Sequence, residues 1–359
     1  MSPAVYKKLA ERLDAIPNGF PATGSGVELK ILARIFTPQQ AGLACAMRLT
    51  PEPAGQIASR LDKDPGETEE LLRQMARRGQ IRARRSESGL VFGLSPFIVG
   101  IYENQMPRMD EQLAALCEQY FQEIGGSIMG SAPSVHRVIP VEEAVDLDLE
   151  IFPHERAAEM IEGAKSWGVR KCICREQQRL IGKGCDHPEE SCLMFAPVEH
   201  AFDDGEIDRP ITKEEALRIL KEASQAGLIH STANHRGPLF YICNCCTCCC
   251  GIMRGVAEWG NPGAVARSDF WAVADAERCT GCEICLDRCR FGALSIVEEV
   301  CRVDHDRCLG CGQCVSVCPA GALSLQRRPE TDRSEVPSDE QDWRLRRAQK
   351  RGIDISEVL

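Results

Sequence analysis

The sequence predicts an α+β multidomain chain. It has a helical N-terminal part that closes on a hairpin, a cysteine-rich α+β centre, and a short C-terminal module made of two copies of one cysteine pattern. Three observations carry this. Apolar residues recur at helical spacing through much of the first hundred positions. Of the 21 cysteines only Cys45 and Cys117 precede residue 172. Between 278 and 324 two segments repeat, Arg278-Cys279-Thr280-Gly281-Cys282 against Arg307-Cys308-Leu309-Gly310-Cys311, and Phe291-Gly292-Ala293-Leu294-Ser295 against Ala320-Gly321-Ala322-Leu323-Ser324.

In the N-terminal part, Val27–Phe36 places Val27, Ile31 and Ile35 on one helical face. Pro38 opens a second helix through Leu49, Pro53–Leu61 a third, and Pro65–Arg78 a fourth that Gly79 stops. Gln80–Arg85 and Leu90–Leu94 then read as strands around a Ser-Glu-Ser-Gly turn. This order of elements resembles a winged helix over 1–105. The resemblance implies a nucleic-acid reader or a protein-docking module. Arg73, Arg77, Arg78, Arg82, Arg84 and Arg85 favour the first, but Glu67, Glu69 and Glu70 occupy the helix start that such readers present to the groove. Docking is the stronger expectation.

Residues 106–170 read as a mostly helical linking region, with long helices at Met109–Ile124 and Pro153–Trp167 separated by a loop around Gly125–Pro133 and Pro140. Thr212-Lys213-Glu214-Glu215 is a capping box for a helix reaching Ala226. Leu228–Thr232 with Leu239–Ile242 suggests a hairpin. The expected divisions are 171–268 for the cysteine-rich domain, 269–328 for the two-run module and 329–359 for a charged tail. That tail has a candidate helix at Glu340–Lys350 and reads as solvated, with partner docking as the alternative.

Bulk properties limit the function. A net charge of −10 disfavours broad nucleic-acid affinity, which rests on positive charge. No stretch reaches the roughly 20 apolar residues that span a bilayer, and Met1–Phe20 lacks a signal-peptide pattern. These features point to a cytoplasmic protein, where dense cysteine usually means metal and not disulfide.

The repeated runs are Cys279-x2-Cys282-x2-Cys285-x3-Cys289 and Cys308-x2-Cys311-x2-Cys314-x3-Cys318-Pro319. They resemble the bacterial two-cluster ferredoxins over 277–326. That spacing implies two 4Fe–4S clusters, with the fourth cysteine of each run serving the other cluster. The resemblance assigns Cys279, Cys282, Cys285 and Cys318 to cluster I, and Cys308, Cys311, Cys314 and Cys289 to cluster II. Zinc would need two interlaced four-cysteine sites. Arg290 replaces the proline that the pattern expects after Cys289, and a cation there would raise the potential of cluster II. Cys301 lies outside both runs and reads as a buried thiol.

The centre holds ten cysteines: Cys172, Cys174, Cys185, Cys192, Cys243, Cys245, Cys246, Cys248, Cys249 and Cys250. If the 243–250 run is extended, Cys243, Cys245 and Cys249 face one way and Cys246, Cys248 and Cys250 the other. Each trio would draw further ligands from Cys172, Cys174, Cys185 and Cys192. Two cubanes or one larger cluster would fit, while zinc and a redox disulfide remain alternatives. Arg175, Lys183 and His187 stand beside these ligands, ready to bind an anion or offset thiolate charge.

The combined pattern, Cys172-Ile-Cys-Arg175, then Cys185-Asp-His-Pro188, then the 243–250 run, resembles a poorly characterised group of ferredoxin-domain proteins of anaerobic and facultative microbes. That resemblance implies iron–sulfur binding and electron transfer, with no substrate. No G-x-G-x-x-G or Walker motif is present, so two-electron chemistry would come from a partner redox protein or oxidoreductase complex. The leading expectation is an iron–sulfur electron-transfer protein or subunit with two 4Fe–4S clusters and at least one more. A reductase with the central cluster as active site and a redox-sensing transcriptional regulator are the alternatives. No catalytic residue is assigned, and DNA is the weaker partner class.

Overall fold

A computed structural model describes residues 3–87, 89–125, 130–141, 144, 156–203, 207–356 and 358. The chain divides into two compact units. The first comprises 1–131, 176–184 and 344–359, and the second 132–175 and 185–343.

The first unit begins with helices α1 (Pro3–Asp14), α2 (Val27–Ile35) and α3 (Pro38–Cys45). Strand β1 (Glu52–Pro53), helices α4 (Ala54–Arg60) and α5 (Pro65–Arg77), and strands β2 (Ile81–Ser86) and β3 (Gly89–Leu94) follow. The caps explain the boundaries. Thr37 and Gln40 form a complete capping box on α3, and the Asp64 carboxylate accepts from the Glu67 N–H at the start of α5. A three-stranded antiparallel sheet in the order β1-β3-β2 closes the region. On α5, Arg73 pairs with Glu69 and Arg77 with Glu70, so the helix neutralises its own cations.

Helix α6 (Glu111–Ile124) is capped by Asp110 and buries Tyr120 and Phe121. Its buried Glu118 accepts from the amides of Gln177 and Gln178. In the C-terminal segment, Arg347 is fully buried and donates to the carbonyls of Pro17 and Ser131. Burial pulls its pKa down to about 9. Arg347→Ala strips donors from the buried Pro17 carbonyl and the half-buried Ser131 carbonyl, at a cost of up to about 1–3 kcal/mol for each one left unpaired. The variant is expected to unfold at lower denaturant with an unchanged slope; an unmoved midpoint would show the contacts to be idle.

The second unit holds strand β4 (His136–Ile139), helix α7 (Ala157–Glu162), strand β5 (Ser166–Lys171), the first three residues of helix α8 (Ile173–Leu180), and strands β6 (Glu190–Ala196) and β7 (Arg209–Ile211). Helix α9 (Lys213–Gln225), strands β8 (Ile229–Ala233) and β9 (Tyr241–Cys245), and helix α10 (Gly251–Ala257) follow. The strands form one antiparallel six-stranded sheet, in the order β4-β8-β9-β6-β5-β7. Leu193, Phe195 and Ile242 pack on one face with Ile161 of α7 and Ala216, Ile219 and Leu220 of α9. Cys192, Cys243 and Cys245 are out of phase with those core residues, so they lie on the reverse face.

The two-run module contains strand β10 (Phe270–Ala274), helix α11 (Ile284–Arg288), strands β11 (Leu294–Val297), β12 (Val300–Val303) and β13 (Leu323–Arg327). Its ladders are β10–β13 and β11–β12, both antiparallel. Glu298 and Glu299 both have positive φ in the two-residue turn between β11 and β12, the geometry that matches strand twist. The last helix is α12 (Glu340–Arg351).

Two expectations need correction. The proposed helix at Pro153–Trp167 is helical only over Ala157–Glu162; its first residues, 153–155, lie outside the described residues. After Gly163 the chain enters β5, which pairs with both β6 and β7. Among the described residues, 106–170 also contain β4. Of the expected loop at 125–133, residues 126–129 lie outside the described residues. The 329–359 segment is not simply solvated, because Trp343 and Arg347 of α12 are buried. The Trp343 indole donates to Ser134 O at 2.9 Å within the second unit.

Candidate metal centres

The two-run module forms two cysteine-lined hollows. One is lined by Cys279, Cys282, Cys285 and Cys318, with Cys301 beside them. The other is lined by Cys289, Cys308, Cys311 and Cys314, together with Gly312 and Gln313. Each hollow therefore takes three cysteines from one run and one from the other. The backbone is shaped to allow this. Gly281 and Gly310, between the first two cysteines of each run, have φ of +63° and +70°. A Cβ on Gly310 would collide with Phe270 O and Ser268 Oγ, and one on Gly281 with Glu299 O; only glycine fits both demands.

Backbone N–H groups already point at these sulfurs. Cys301 N lies 3.3 Å from Cys279 Sγ, Ala322 N 3.3 Å from Cys318 Sγ and Ala272 N 3.5 Å from Cys308 Sγ. Such donors stabilise negative charge on sulfur and are one of the levers on a cluster's potential. Burial pushes the Cys311 thiol up to about 12, a cost that metal binding offsets because ligands bind as thiolates. Four thiols around a hollow, with amide donors in place, fit a 4Fe–4S cube. Cys301 is 2% exposed, its sulfur is 3.8 Å from Cys285 Sγ, and burial raises its thiol to about 12. Its wall position in the first hollow was hidden because it sits in β12, outside the repeated spacing.

The central cysteines divide into four and six. Cys185, Cys246, Cys248 and Cys249 have all four Sγ atoms within 4.8 Å of one another. The other six form a closed cycle of neighbours, each shifting the thiol pKa of the next. Cys172 acts on Cys174 and Cys192 acts on Cys172, and Cys250 acts on Cys174. Cys245 neighbours Cys250, Cys243 neighbours Cys245, and Cys192 closes on Cys243. The expected trios are thus regrouped: Cys249 leaves Cys243 and Cys245, and Cys250 takes its place. The physical reason is that the run is extended only to Cys245. The chain then turns, Cys250 N bonds to Cys246 O at 3.2 Å, and Cys250 caps α10.

Arg175 serves both groups. It is 3% exposed and donates to Pro188 O, Ser191 Oγ and Asn244 O. Burial alone would lower its pKa, but the fields of Cys172, Cys246, Cys192 and Cys245 outweigh that and raise it. Its buried Nε–H has no protein acceptor, leaving a donor for a sulfur-rich centre. His187 joins no four-thiol set, and burial lowers its pKa. Lys183 instead pairs with Glu118, 3.8 Å away in the first unit.

A seam connects the module to the centre within the second unit. Gln313, which lines the second hollow, donates to Leu228 O at 2.7 Å. Leu228 in turn packs on Cys246 and Cys249. Arg288 accompanies it, bonding Gln313 Oε1 and the carbonyls of Ser224 and Gln225 at the end of α9, where a cation also meets the helix dipole favourably. No spacing rule exposes Gln313, because its partner lies far away in sequence.

Comparison with known families bears on part of the module. Residues 302–324 match the 4Fe–4S binding domain. The matched segment of this 4Fe–4S binding domain contains Cys308, Cys311, Cys314 and Cys318, and so supplies cysteines to both hollows. No curated protein and no solved structure matches the chain. Among the described residues, no helix is long and apolar enough to cross a membrane.

Proposed function

We propose that this protein is an iron–sulfur electron-transfer protein or subunit, relaying single electrons from the two-run module to the central cysteines and on to a partner oxidoreductase. The observation that carries the reading is the 4Fe–4S binding domain match on residues whose cysteines line two interlaced hollows. Cys279, Cys282, Cys285 and Cys318 would hold cluster I; Cys289, Cys308, Cys311 and Cys314 would hold cluster II. When bound, such clusters accept and release one electron at a time. The amides of Ala272, Cys301 and Ala322 hold the sulfur charge, and buried side chains such as Phe270 and Leu323 keep water away.

The six-thiol cycle, with the unused Arg175 Nε–H, is the site for the further central cluster. Gln313 and Leu228 link the second hollow to the central region by one hydrogen bond and one packing contact, which supports a through-protein route for electrons between them. Cysteines in this number, read as cluster ligands, support a cytoplasmic location, where thiols stay reduced. The winged-helix-like reading of the N-terminal region fits protein docking better than DNA, given the ion-paired arginines of α5.

Anaerobic purification with iron and acid-labile sulfide counts, followed by EPR during redox titration, tests the proposal. Two 4Fe–4S signals with more than about eight irons are expected, since two cubes account for about eight. A count near eight would remove the central cluster, and absence of any cluster signal would remove the function. In the same titration Arg290→Ala should lower one midpoint. The shift should be small, because Arg290 is exposed and solvent screens it; an unchanged or raised midpoint refutes its role.

A further inference from the structure

The tight set Cys185, Cys246, Cys248 and Cys249 has a geometry of its own, beyond the electron-transfer reading. Cys249 Sγ lies 3.5 Å from Cys185 Sγ and 3.8 Å from Cys248 Sγ. Sulfurs at the corners of a tetrahedron around one metal ion, with bonds of about 2.3 Å, stand roughly 3.8 Å apart. A 4Fe–4S cube carries one thiolate on each of its four irons, which alternate with sulfides at the corners, and so holds the thiolates much wider. The module's thiols show the contrast, since they line hollows and no three of them gather within 4.8 Å.

We infer that Cys185, Cys246, Cys248 and Cys249 bind a single tetrahedral metal ion, zinc or iron, in a site distinct from every iron–sulfur cluster. Three ligands come from one turn, 246–249, and the fourth from the Cys185 loop. Four thiols give up protons as the ion binds, and the positive Arg175 lies in the field of Cys246. The ion would have a structural consequence. Cys245 and Cys250 flank the turn on either side, and both belong to the six-thiol cycle. Clamping 246–249 fixes the separation of those two thiols, and Leu228 packs on the clamp from the module side.

The test compares the full-length protein with Cys248→Ser, chosen because Cys248 is exposed and its replacement spares the core. Metal analysis and X-ray absorption at the zinc and iron edges are the readouts. The expected result is about one equivalent of zinc, or of iron unmatched by sulfide, in a four-sulfur shell near 2.3 Å. That equivalent should fall at least fivefold in Cys248→Ser while the 4Fe–4S EPR signals persist. Loss of about four irons with matching sulfide would reveal a cube and overturn the inference. Unaltered metal content in a variant that retains its EPR signals would overturn it too. Should Cys248→Ser fail to fold, the absorption spectrum of the unmodified protein decides: a zinc or iron four-sulfur shell without a neighbouring metal supports the site, and no such shell refutes it. Missing 4Fe–4S signals in the unmodified protein would instead count against the electron-transfer proposal alone.

Discussion

Replacing Cys318 by alanine is expected to destroy the cluster of the first run, although Cys318 lies at the end of the second. In the structure Cys318 lines the hollow of Cys279, Cys282 and Cys285, and Ala322 N points at its sulfur from 3.3 Å. The substitution removes one of four thiolates and leaves that amide without its acceptor. One 4Fe–4S EPR signal, with about four irons, should disappear while the other survives. Cys289→Ala should give the reciprocal result and spare the first signal. The two variants differ in their surviving midpoint, so a redox titration tells them apart. If Cys318→Ala and Cys289→Ala leave the same midpoint standing, the crossed ligand sets are wrong. If both variants keep two signals, neither residue is a ligand.

The contrast between what spacing reveals and what it hides is sharpest here. The crossed assignment is what the resemblance to two-cluster ferredoxins implies, and each hollow takes three cysteines from one run and one from the other. Helix starts were legible in their local residues. Asp64 before Pro65, and Thr212 before Glu215, satisfy N–H groups of their own first turns. The 153–167 segment misled because Met160, Ile161, Ala164 and Trp167 have helical spacing and yet serve two elements. Trp167 belongs to a strand, and its indole donates to Ile161 O at 2.8 Å. Tertiary pairing on both edges of β5 overrides the local pattern.

The central cysteines were legible as a set and illegible as a partition. Alternation held for Cys243 and Cys245 because β9 is paired on both sides. It failed from Cys246 onward, where a turn and a helix N-terminus rotate the thiols out of register. Cys192 comes opposite this run through β6, and Cys172 and Cys174 through the β5–α8 junction. Those juxtapositions depend on strand order, β9-β6-β5, which local spacing does not encode. The sequence sets Arg175 beside Cys174, but its position between the two thiol groups is a product of the same sheet.

Acid should weaken the second unit through His136, a residue with no metal-ligand spacing. His136 is 3% exposed on β4; its Nε2 is 2.9 Å from Tyr241 Oη and its Nδ1 is 3.2 Å from Ser231 Oγ. Burial lowers its pKa to about 4, against about 6.5 for an unfolded histidine. Between these values the unfolded chain carries a proton that the folded one does not. Stability from this source is therefore fully present above about pH 6.5, falls as the pH drops towards 4, and falls no further below that. The span corresponds to about 3 kcal/mol. His136→Gln keeps a polar group facing Tyr241 and Ser231 but cannot titrate. Its denaturation midpoint should change less between pH 7 and pH 4 than that of the unmodified protein, and the gap between the two should close as acid is added. Comparison of the two proteins cancels the acid loss of metal–thiolate bonds, which both share. Parallel curves across the window would show that His136 is protonated in the folded state after all. The consequence reaches the metal region, because Ser231 Oγ also lies 3.7 Å from Cys245 Sγ. A charged imidazole would disturb the hydroxyl beside one member of the six-thiol cycle, so loss of the proposed central cluster's signal should begin only as the pH approaches about 4, where the folded histidine takes up its proton, and be delayed in His136→Gln.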